Sequence, residues 1–197
     1  MKRAGSYPKG IAKREDILTT ALDVIAAQGY HRTSLREIAE ATNLTAAGLL
    51  YYFGTKEDLL TEILRKRDEV NAGYVGDEDS PRIVKIVRHN MSTPGLVELY
   101  ASLANAATHP THPAHAFFKD RYVKIPENIA MEIRALQATG RVREDIDPDR
   151  FGRIMLAAAD GLQEAWMLDD SVDMAAHLEY LWATIRMPPA ESAAVEP

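Results

Sequence analysis

Apolar residues recur at intervals of three to four positions along most of the chain, which is the spacing of an amphipathic α-helix. The first such stripe lies in residues 12–28 and consists of Ile17, Leu18, Ala21, Leu22, Ile25 and Ala26. No segment shows the two-residue alternation of apolar and polar side chains that is typical of a half-buried strand. The pattern therefore predicts an all-α fold with about nine helices.

Local signals divide the first sixty residues into short helices. Gly29 can take the left-handed conformation that ends the first helix. Ser34 and Glu37 have the S-x-x-E spacing of a capping box, which marks the start of a second helix. Asn43 also tolerates a left-handed turn, and Thr45 is a typical N-cap for a third helix. The sequence thus predicts two short helices joined by a tight turn, which is the helix-turn-helix arrangement.

Longer helices follow. Thr55 is expected to cap a fourth helix, whose apolar stripe consists of Leu59, Leu60, Ile63, Leu64 and Val70. Residues 71–81 are polar and rich in helix breakers, so we place the boundary between two domains there. Beyond that boundary, helices are predicted near residues 82–91, 94–107, 114–139, 148–168 and 172–186.

The charge is unevenly distributed along the chain. The formal net charge is −6, but residues 1–36 hold seven basic and three acidic residues, whereas residues 71–197 hold 12 basic and 19 acidic residues. A basic N-terminal head on an acidic body is expected if only the head contacts phosphate, and an ordinary solvated surface is the alternative that charge alone leaves open. The sequence has no cysteine, no secretory signal and no apolar run of membrane-spanning length, which favours the cytoplasm and no membrane partner.

The third predicted helix has a face that suits the major groove of DNA. Leu49 and Phe53 are its inward positions, which leaves the opposite side free. Small and apolar side chains can approach bases closely there, Arg36 can reach a guanine edge, and hydroxyl and lysine groups can contact phosphates. A helix N-terminus such as that after Ser34 also favours phosphate. The candidate DNA-contacting residues are Thr33, Ser34, Arg36, Thr45, Ala46, Ala47, Leu50, Tyr51, Tyr52 and Lys56.

A second interpretation of the same segment stays open at this point. Tyr51, Tyr52 and Phe53 can be core aromatics of an ordinary helical bundle, because exposed aromatic residues on helices are uncommon.

Residues 14–60 contain several short sequence elements that follow one another in a definite order. They are the I-L-x-x-A-L run, an aromatic residue after Gly29, T-S-x-R-E-I-A and Y-Y-F-G-T-K-E-D-L-L. In this order and spacing they resemble the N-terminal DNA-binding domain of TetR-family transcriptional regulators. The resemblance implies a homodimer whose helical C-terminal domain binds a small molecule and thereby controls the affinity for DNA.

The resemblance also implies roles for individual residues. Arg36 matches a residue that can contact bases, Tyr52 and Lys56 match phosphate contacts, and residues 45–51 match the helix that reads DNA. The lysine, glycine and tyrosine often found in the family at the positions of Ala46, Ala47 and Leu50 are missing. These departures leave the operator sequence open.

Together, these observations predict a TetR-like organisation. An N-terminal three-helix helix-turn-helix domain precedes a C-terminal helical domain for ligand binding and dimerisation. The predicted segments are a flexible basic arm (residues 1–11), the DNA-binding domain (12–56), a connecting helix and linker (57–80), the ligand-binding and dimerisation domain (81–187) and a disordered tail (188–197).

Two apolar stripes near the C-terminus, in residues 151–166 and 172–186, suggest a dimer interface. Two helices from each subunit can form a four-helix bundle, and the small residues Ala157–Ala159 permit close approach. The alternative is that both stripes pack within one subunit. The candidate interface residues are Ile154, Ala158, Leu162, Ala165, Met174, Leu178, Leu181 and Ile185.

A ligand cavity is expected between the helices of the body, where apolar and polar residues mix. The candidate lining residues are His89, Tyr100, Asn105, Phe117, Phe118, Asn128, Met131, Gln163 and Trp166. By contrast, Glu127, Glu132 and Glu144 are expected to be solvated.

The HPTHPAH segment spaces three histidines, His109, His112 and His115, in a way that invites a metal site. Pro110 and Pro113 predict a turning loop instead, which does not converge the three rings, so we predict neither a metal nor another cofactor.

The leading hypothesis is a dimeric repressor that binds double-stranded DNA at a palindromic operator and is released by a small molecule of unknown identity. No enzyme motif is present: the sequence lacks a P-loop, a G-x-G-x-x-G after a strand, H-E-x-x-H and G-x-S-x-G. A helical small-molecule or metal sensor without a DNA role is the alternative, and a helical enzyme is a third possibility.

Overall fold

The computed structural model describes residues 8–77 and 80–187. Within these residues the regular structure is helical, apart from one isolated antiparallel bridge between Val142 and Arg186. The nine helices of this part are α1 (Pro8–Gln28), α2 (Leu35–Ala41), α3 (Ala46–Phe53), α4 (Lys56–Asn71), α5 (Arg82–Asn90), α6 (Pro94–Ala106), α7 (His115–Gln137), α8 (Pro148–Leu168) and α9 (Met174–Ala183).

The predicted all-α fold is confirmed, and the five helices expected beyond residue 81 end within three residues of their predicted bounds. The start of α1 is different, because the helix begins at Pro8 and includes part of the segment predicted as a flexible arm. The fixed φ of proline suits the first turn of a helix. Residues 1–7 and the predicted tail from residue 188 lie outside the described residues.

The predicted caps are present and define the helix-turn-helix. The Ser34 amide donates to Glu37 Oε2 at 2.7 Å, and the Glu37 amide donates to Ser34 Oγ at 3.2 Å, which completes the capping box of α2. Asn43 has a φ of 55° in the turn that follows. Thr45 Oγ1 then accepts from the Gly48 amide at 3.1 Å and starts α3. The sharp turn therefore has its conformation set by local chemistry.

A first hydrophobic core joins α1 to α4 with α6 and the start of α7. Its fully buried residues include Ile17, Leu49 and Leu99, so one core continues across the boundary that the sequence suggested. Val70 was predicted to lie on the apolar face of α4, but it is 52% exposed. Its place on the buried face is taken by Arg67 and Asn71, which are 4% exposed each.

A second hydrophobic core lies between α5, α7, α8 and α9. Met174, Leu178 and Ile185 are at most 2% exposed there, so the interface prediction is wrong for these three residues. The α9 stripe packs against α5 and α8 of its own subunit, so these buried side chains cannot contact a second subunit.

Candidate nucleic-acid interface and cavity

The α3 helix is a short surface helix without a charged residue. Leu49 and Phe53 are 0% and 4% exposed and hold the helix against the first core. On the other side Ala47 is exposed, and Tyr51 is 70% exposed with its ring edge-on to Tyr52 at a centroid distance of 5.8 Å. An exposed tyrosine is not a core aromatic, so the bundle interpretation is wrong for Tyr51. The remaining predicted contacts on this helix, Ala46, Leu50 and Tyr52, are half-buried.

Arg36 extends from α2 into solvent. Its side chain is 85% exposed, and Nε lies 2.7 Å from Glu40 Oε1 one helical turn later. The hydrogen bond to Glu40, and then the charge of Glu40, raise the pKa of Arg36. The guanidinium is therefore positioned by an exposed ion pair, which is weak enough to be exchanged for a stronger acceptor.

Thr33 is a correction to the predicted interface. Its side chain is buried, and its hydroxyl donates to the Gly29 carbonyl at 2.7 Å, while its amide donates to the Tyr30 carbonyl. Thr33 thus closes the turn between α1 and α2 and offers no free donor to a phosphate. Ser34 is exposed, but its amide and its Oγ already serve the capping box.

Two lysines flank the turn and the start of α4. Lys56 is exposed as the first residue of α4, directly after the N-cap Thr55. Lys13 of α1 donates to the Thr42 carbonyl at 3.2 Å, where α2 ends. Sequence reasoning did not assign this contact, since no local pattern links residues that are so far apart in the chain.

A cavity lies in the body, where α4, α5, α6, α7 and α8 meet. It has a volume of about 70 Å³, and a neighbouring cavity of about 280 Å³ shares Tyr100, Asp160 and Gln163 with it. The apolar part of the wall of the first cavity comes mainly from α5, α7 and α8, through Ile83, Ile86, Val87, Ile125, Ile129, Leu156 and Ala159.

Asp160 of α8 is the centre of a polar network between the two cavities. It accepts hydrogen bonds from the Tyr100 hydroxyl at 3.1 Å, from Gln163 Nε2 at 3.2 Å and from the Tyr122 hydroxyl. Burial raises the pKa of Asp160, and the hydrogen bonds from the Tyr122 and Tyr100 hydroxyls oppose that shift. Burial and the bond to Asp160 also raise the pKa of Tyr122, which keeps its hydroxyl a donor.

Two arginines approach the Tyr100 ring from different helices. The guanidinium carbons of Arg67 (α4) and Arg121 (α7) lie 4.9 and 5.0 Å from the ring centroid. Arg121 Nη1 pairs with Asp68 Oδ2, and Arg67 Nη2 lies 3.5 Å from Asp68 Oδ1. Burial, and then repulsion from Arg121, lower the pKa of Arg67. One carboxylate of α4 is thus shared by two guanidiniums.

The predicted ligand residues divide into two groups. Tyr100, Asn128 and Gln163 line the first cavity, and Asn105 lines the neighbouring one. His89, Phe118, Met131 and Trp166 line neither of these two cavities, so the structure does not bring them together with the first group.

Each of these four residues has a different environment. His89 packs on Tyr74 at a centroid distance of 5.3 Å. Phe118 and its neighbour Phe117 belong to the first core, and Trp166 packs against the second. Met131 is 57% exposed, because it lies on the outer side of α7.

Sequence reasoning missed the charged residues of the cavity, although a signal was present. Arg67 continues the stripe of Leu60, Ile63 and Leu64, and Arg121 lies four residues before Ile125. A charged residue on the apolar stripe of a helix is buried with a partner or a ligand.

Glu132 corrects another expectation, since it was predicted to be solvated. It is half-buried at the cavity wall, and its Oε2 accepts from the Arg82 amide at 3.3 Å at the start of α5. Burial raises the pKa of Glu132. Glu132 therefore supplies the capping acceptor that Pro81, the N-cap residue, lacks.

The histidine-rich segment forms the predicted turning loop between α6 and α7. His112 Nδ1 accepts from the Ala114 amide at 3.1 Å, and His115 Nδ1 lies 2.8 Å from the Ala107 carbonyl. Among residues 8–77 and 80–187, no three histidine, cysteine, aspartate or glutamate side chains are arranged to hold a metal ion. In the same residues, none of the helices has the length and apolar composition of a membrane span.

The α2–α3 unit is a helix-turn-helix, and it is followed by a helical body. Residues 17–63 match the family model for bacterial regulatory proteins of the tetR family. The HTH-type transcriptional regulator RutR of Escherichia coli K12 is 39% identical over 67 residues, which are 34% of this chain and 32% of RutR. The match thus spans about a third of that relative's length. At the level of sequence, residues 17–63 are therefore similar to bacterial regulatory proteins of the tetR family.

Solved structures extend the similarity to the body. A TetR-family transcriptional regulator from Cytophaga hutchinsonii aligns over 93% of this chain and 99% of its own, with a TM-score of 0.68 and 18% identity. A protein from Saccharomonospora viridis, crystallised in complex with choline, aligns over 90% of this chain and all of its own, with a TM-score of 0.67 and 25% identity. Both share the fold of the whole described chain.

Proposed function

We propose that the chain is a sequence-specific DNA-binding transcriptional repressor, released from a palindromic operator by a small molecule. The observation that carries the proposal is the α3 helix, which is uncharged, capped, and outward-facing at Ala47 and Tyr51. Such a helix can enter the major groove of DNA. The names of relatives such as RutR, a transcriptional regulator, support the same role.

The DNA surface in this proposal divides its work between bases and phosphates. Ala47, Leu50 and Tyr51 approach base edges, together with Arg36 once Glu40 is exchanged for guanine. Phosphates are contacted from the ends of the helices, where helix dipoles and hydroxyl groups favour anions. The phosphate set is Thr45, Tyr52 and Lys56, since the amide and Oγ of Ser34 are used in the capping box.

A homodimer is part of the proposal, and its interface is the outer face of α8. Ile154 is 54% exposed and Leu168 is 90% exposed, and between them lie Ala158 and Gly161 on the same side of the helix. A Cβ at Gly161 would meet no atom within 4 Å in the single chain. Small residues between exposed apolar ones permit two helices to approach closely.

The small molecule in this proposal binds in the cavity around Tyr100 and acts through α4. That helix begins next to α3 and reaches the cavity with Arg67. A ligand shifts the balance between two arrangements of the heads only by binding one of them more tightly. Two α3 helices about one DNA turn apart, roughly 34–36 Å, fit consecutive major grooves, and another spacing does not.

The test is selection of bound fragments from a random DNA pool with the purified chain, followed by titration of the enriched duplex at rising salt. We expect a palindromic sequence and an affinity that falls linearly with the logarithm of the salt concentration. A pool without enrichment would favour the alternative, a sensor without a DNA role. A salt slope near zero would contradict the phosphate contacts.

A further inference from the structure

Two buried arginines line the cavity on the side of α4 and α7, and neither has all of its donors paired. Arg67 is 4% exposed, and its Nη1 donates to the Leu96 carbonyl at 3.3 Å. The buried Nε atoms of Arg67 and Arg121 find no acceptor among the described residues. An unpaired buried donor costs free energy, so such atoms indicate an acceptor that arrives from outside.

The carboxylates at the same cavity are in the opposite situation. Asp160 accepts from three neutral donors, and Glu132 accepts from the backbone at the start of α5. Both acids therefore have hydrogen-bond partners, whereas the Nε atoms of the two arginines have none among the described residues. A cation would find few free acceptors in this cavity, while an anion would meet donors that no protein group uses.

We propose that the cavity binds a small carboxylate carried on an apolar chain or ring. The carboxylate accepts hydrogen bonds from Arg67 and Arg121, since charge-assisted bonds to a guanidinium are the strongest that a carboxylate forms. The apolar part lies along the wall that Ile125, Ile129 and Leu156 form.

The same geometry gives the ligand a route to the DNA-binding head, a step that rests on the proposed function. Asp68 of α4 pairs with Arg121 of α7, and this ion pair ties the helix below the head to the body. A bound carboxylate competes with Asp68 for Arg121. Losing that pair loosens α4 from α7 and changes the position of the head.

The binding test uses hexanoate, with hexanamide as a neutral probe of the same shape and choline as a cation. Arginine Nε–H signals of the ¹⁵N-labelled full chain are followed by NMR. Hexanoate should shift the Arg67 and Arg121 signals saturably and bind at least about tenfold more tightly than hexanamide, since a bond to a charged group is worth about 1.5–3 kcal/mol. Equal binding of hexanamide or choline, or no saturable shift at millimolar hexanoate, would overturn the proposal.

Variants of the arginines provide the second arm. Arg67→Met and Arg121→Gln should each weaken hexanoate binding by about tenfold or more, whereas Arg150→Gln, whose side chain is 84% exposed on α8, should not change it. Unchanged affinity in both cavity variants would refute the assignment. If a cavity variant does not fold, the comparison of hexanoate with hexanamide in the unmodified chain decides.

A DNA measurement separates this inference from the proposed function. Hexanoate should lower the affinity for the selected duplex, and Asp68→Asn should lower it without any ligand. Selective hexanoate binding by a chain that binds no DNA would leave the cavity assignment standing and remove the repressor. DNA binding by a chain that ignores hexanoate would do the reverse.

Discussion

In the proposed function, Arg36 connects the local chemistry of α2 to the choice of DNA sequence. Its ion pair with Glu40 lies in solvent, so exchanging Glu40 for a base costs little. Replacing Arg36 with alanine should weaken binding to the selected duplex by about 1–3 kcal/mol and relax preference at one base pair in each half-site. Competition between duplexes that differ at single positions measures this.

Glu40→Gln is the matched control for Arg36→Ala. It removes the competing charge and leaves the guanidinium in place, so the affinity should rise or stay constant. A comparable loss of affinity in both variants would mean that the α2 ion pair stabilises the domain and does not read DNA.

Glu37 makes the capping box of α2 dependent on pH. The hydrogen bonds from the amide and hydroxyl of Ser34 lower the pKa of Glu37 in the folded chain. The contribution of Glu37 to stability is therefore complete above about pH 4.3, the pKa of an unfolded glutamate, and is lost as the pH falls through the lower folded value.

Urea unfolding between pH 3 and 7, compared between the native chain and Glu37→Ala, tests this prediction. The difference in the free energy of unfolding should shrink as the pH falls. A difference that stays constant across the range would show that the carboxylate does not act through its charge.

At the scale of elements, Gly95 fixes the contact between α6 and α1. A Cβ at this position would overlap the Ile25 carbonyl oxygen and lie 2.7 Å from Gly29 Cα. Gly95→Ala should therefore lower the free energy of unfolding by about 1–3 kcal/mol, the usual cost of overpacking. Gly73→Ala, whose Cβ would lie 3.7 Å from its nearest neighbour, the Val70 carbonyl oxygen, is the control. Equal stability of the two variants in urea would contradict the close approach.

Helix boundaries in this chain follow from short-range chemistry, and that is why they could be predicted. The Ser34–Glu37 capping box, the cap at Thr45 and the left-handed Asn43 involve residues no more than three positions apart. The orientation of the α9 stripe could not be predicted in this way. An apolar stripe has the same sequence pattern whether its own subunit or a partner covers it.

At the scale of the whole molecule, the proposed dimer interface is the outer face of α8. Ile154→Arg should leave the single chain folded, because this side chain is already exposed, and should convert a dimer to a monomer. Sedimentation measures the mass of the assembly in solution. Loss of the dimer should also weaken binding to the selected palindrome. Ile11→Arg, at a position 53% exposed on α1, controls for added charge. A chain that is monomeric before substitution would refute the interface.

The sequence by itself determined the helical fold, the helix-turn-helix and the side of α3 that faces outward, because period and capping act within a few residues. The tertiary structure alone decided that the core of the head includes α6, that Thr33 is buried, and that Arg67, Arg121 and Asp160 meet around Tyr100. Tyr100 and the three charged residues around it come from four different helices. Their proximity depends on how the helices cross, and no repeat within one helix encodes that crossing.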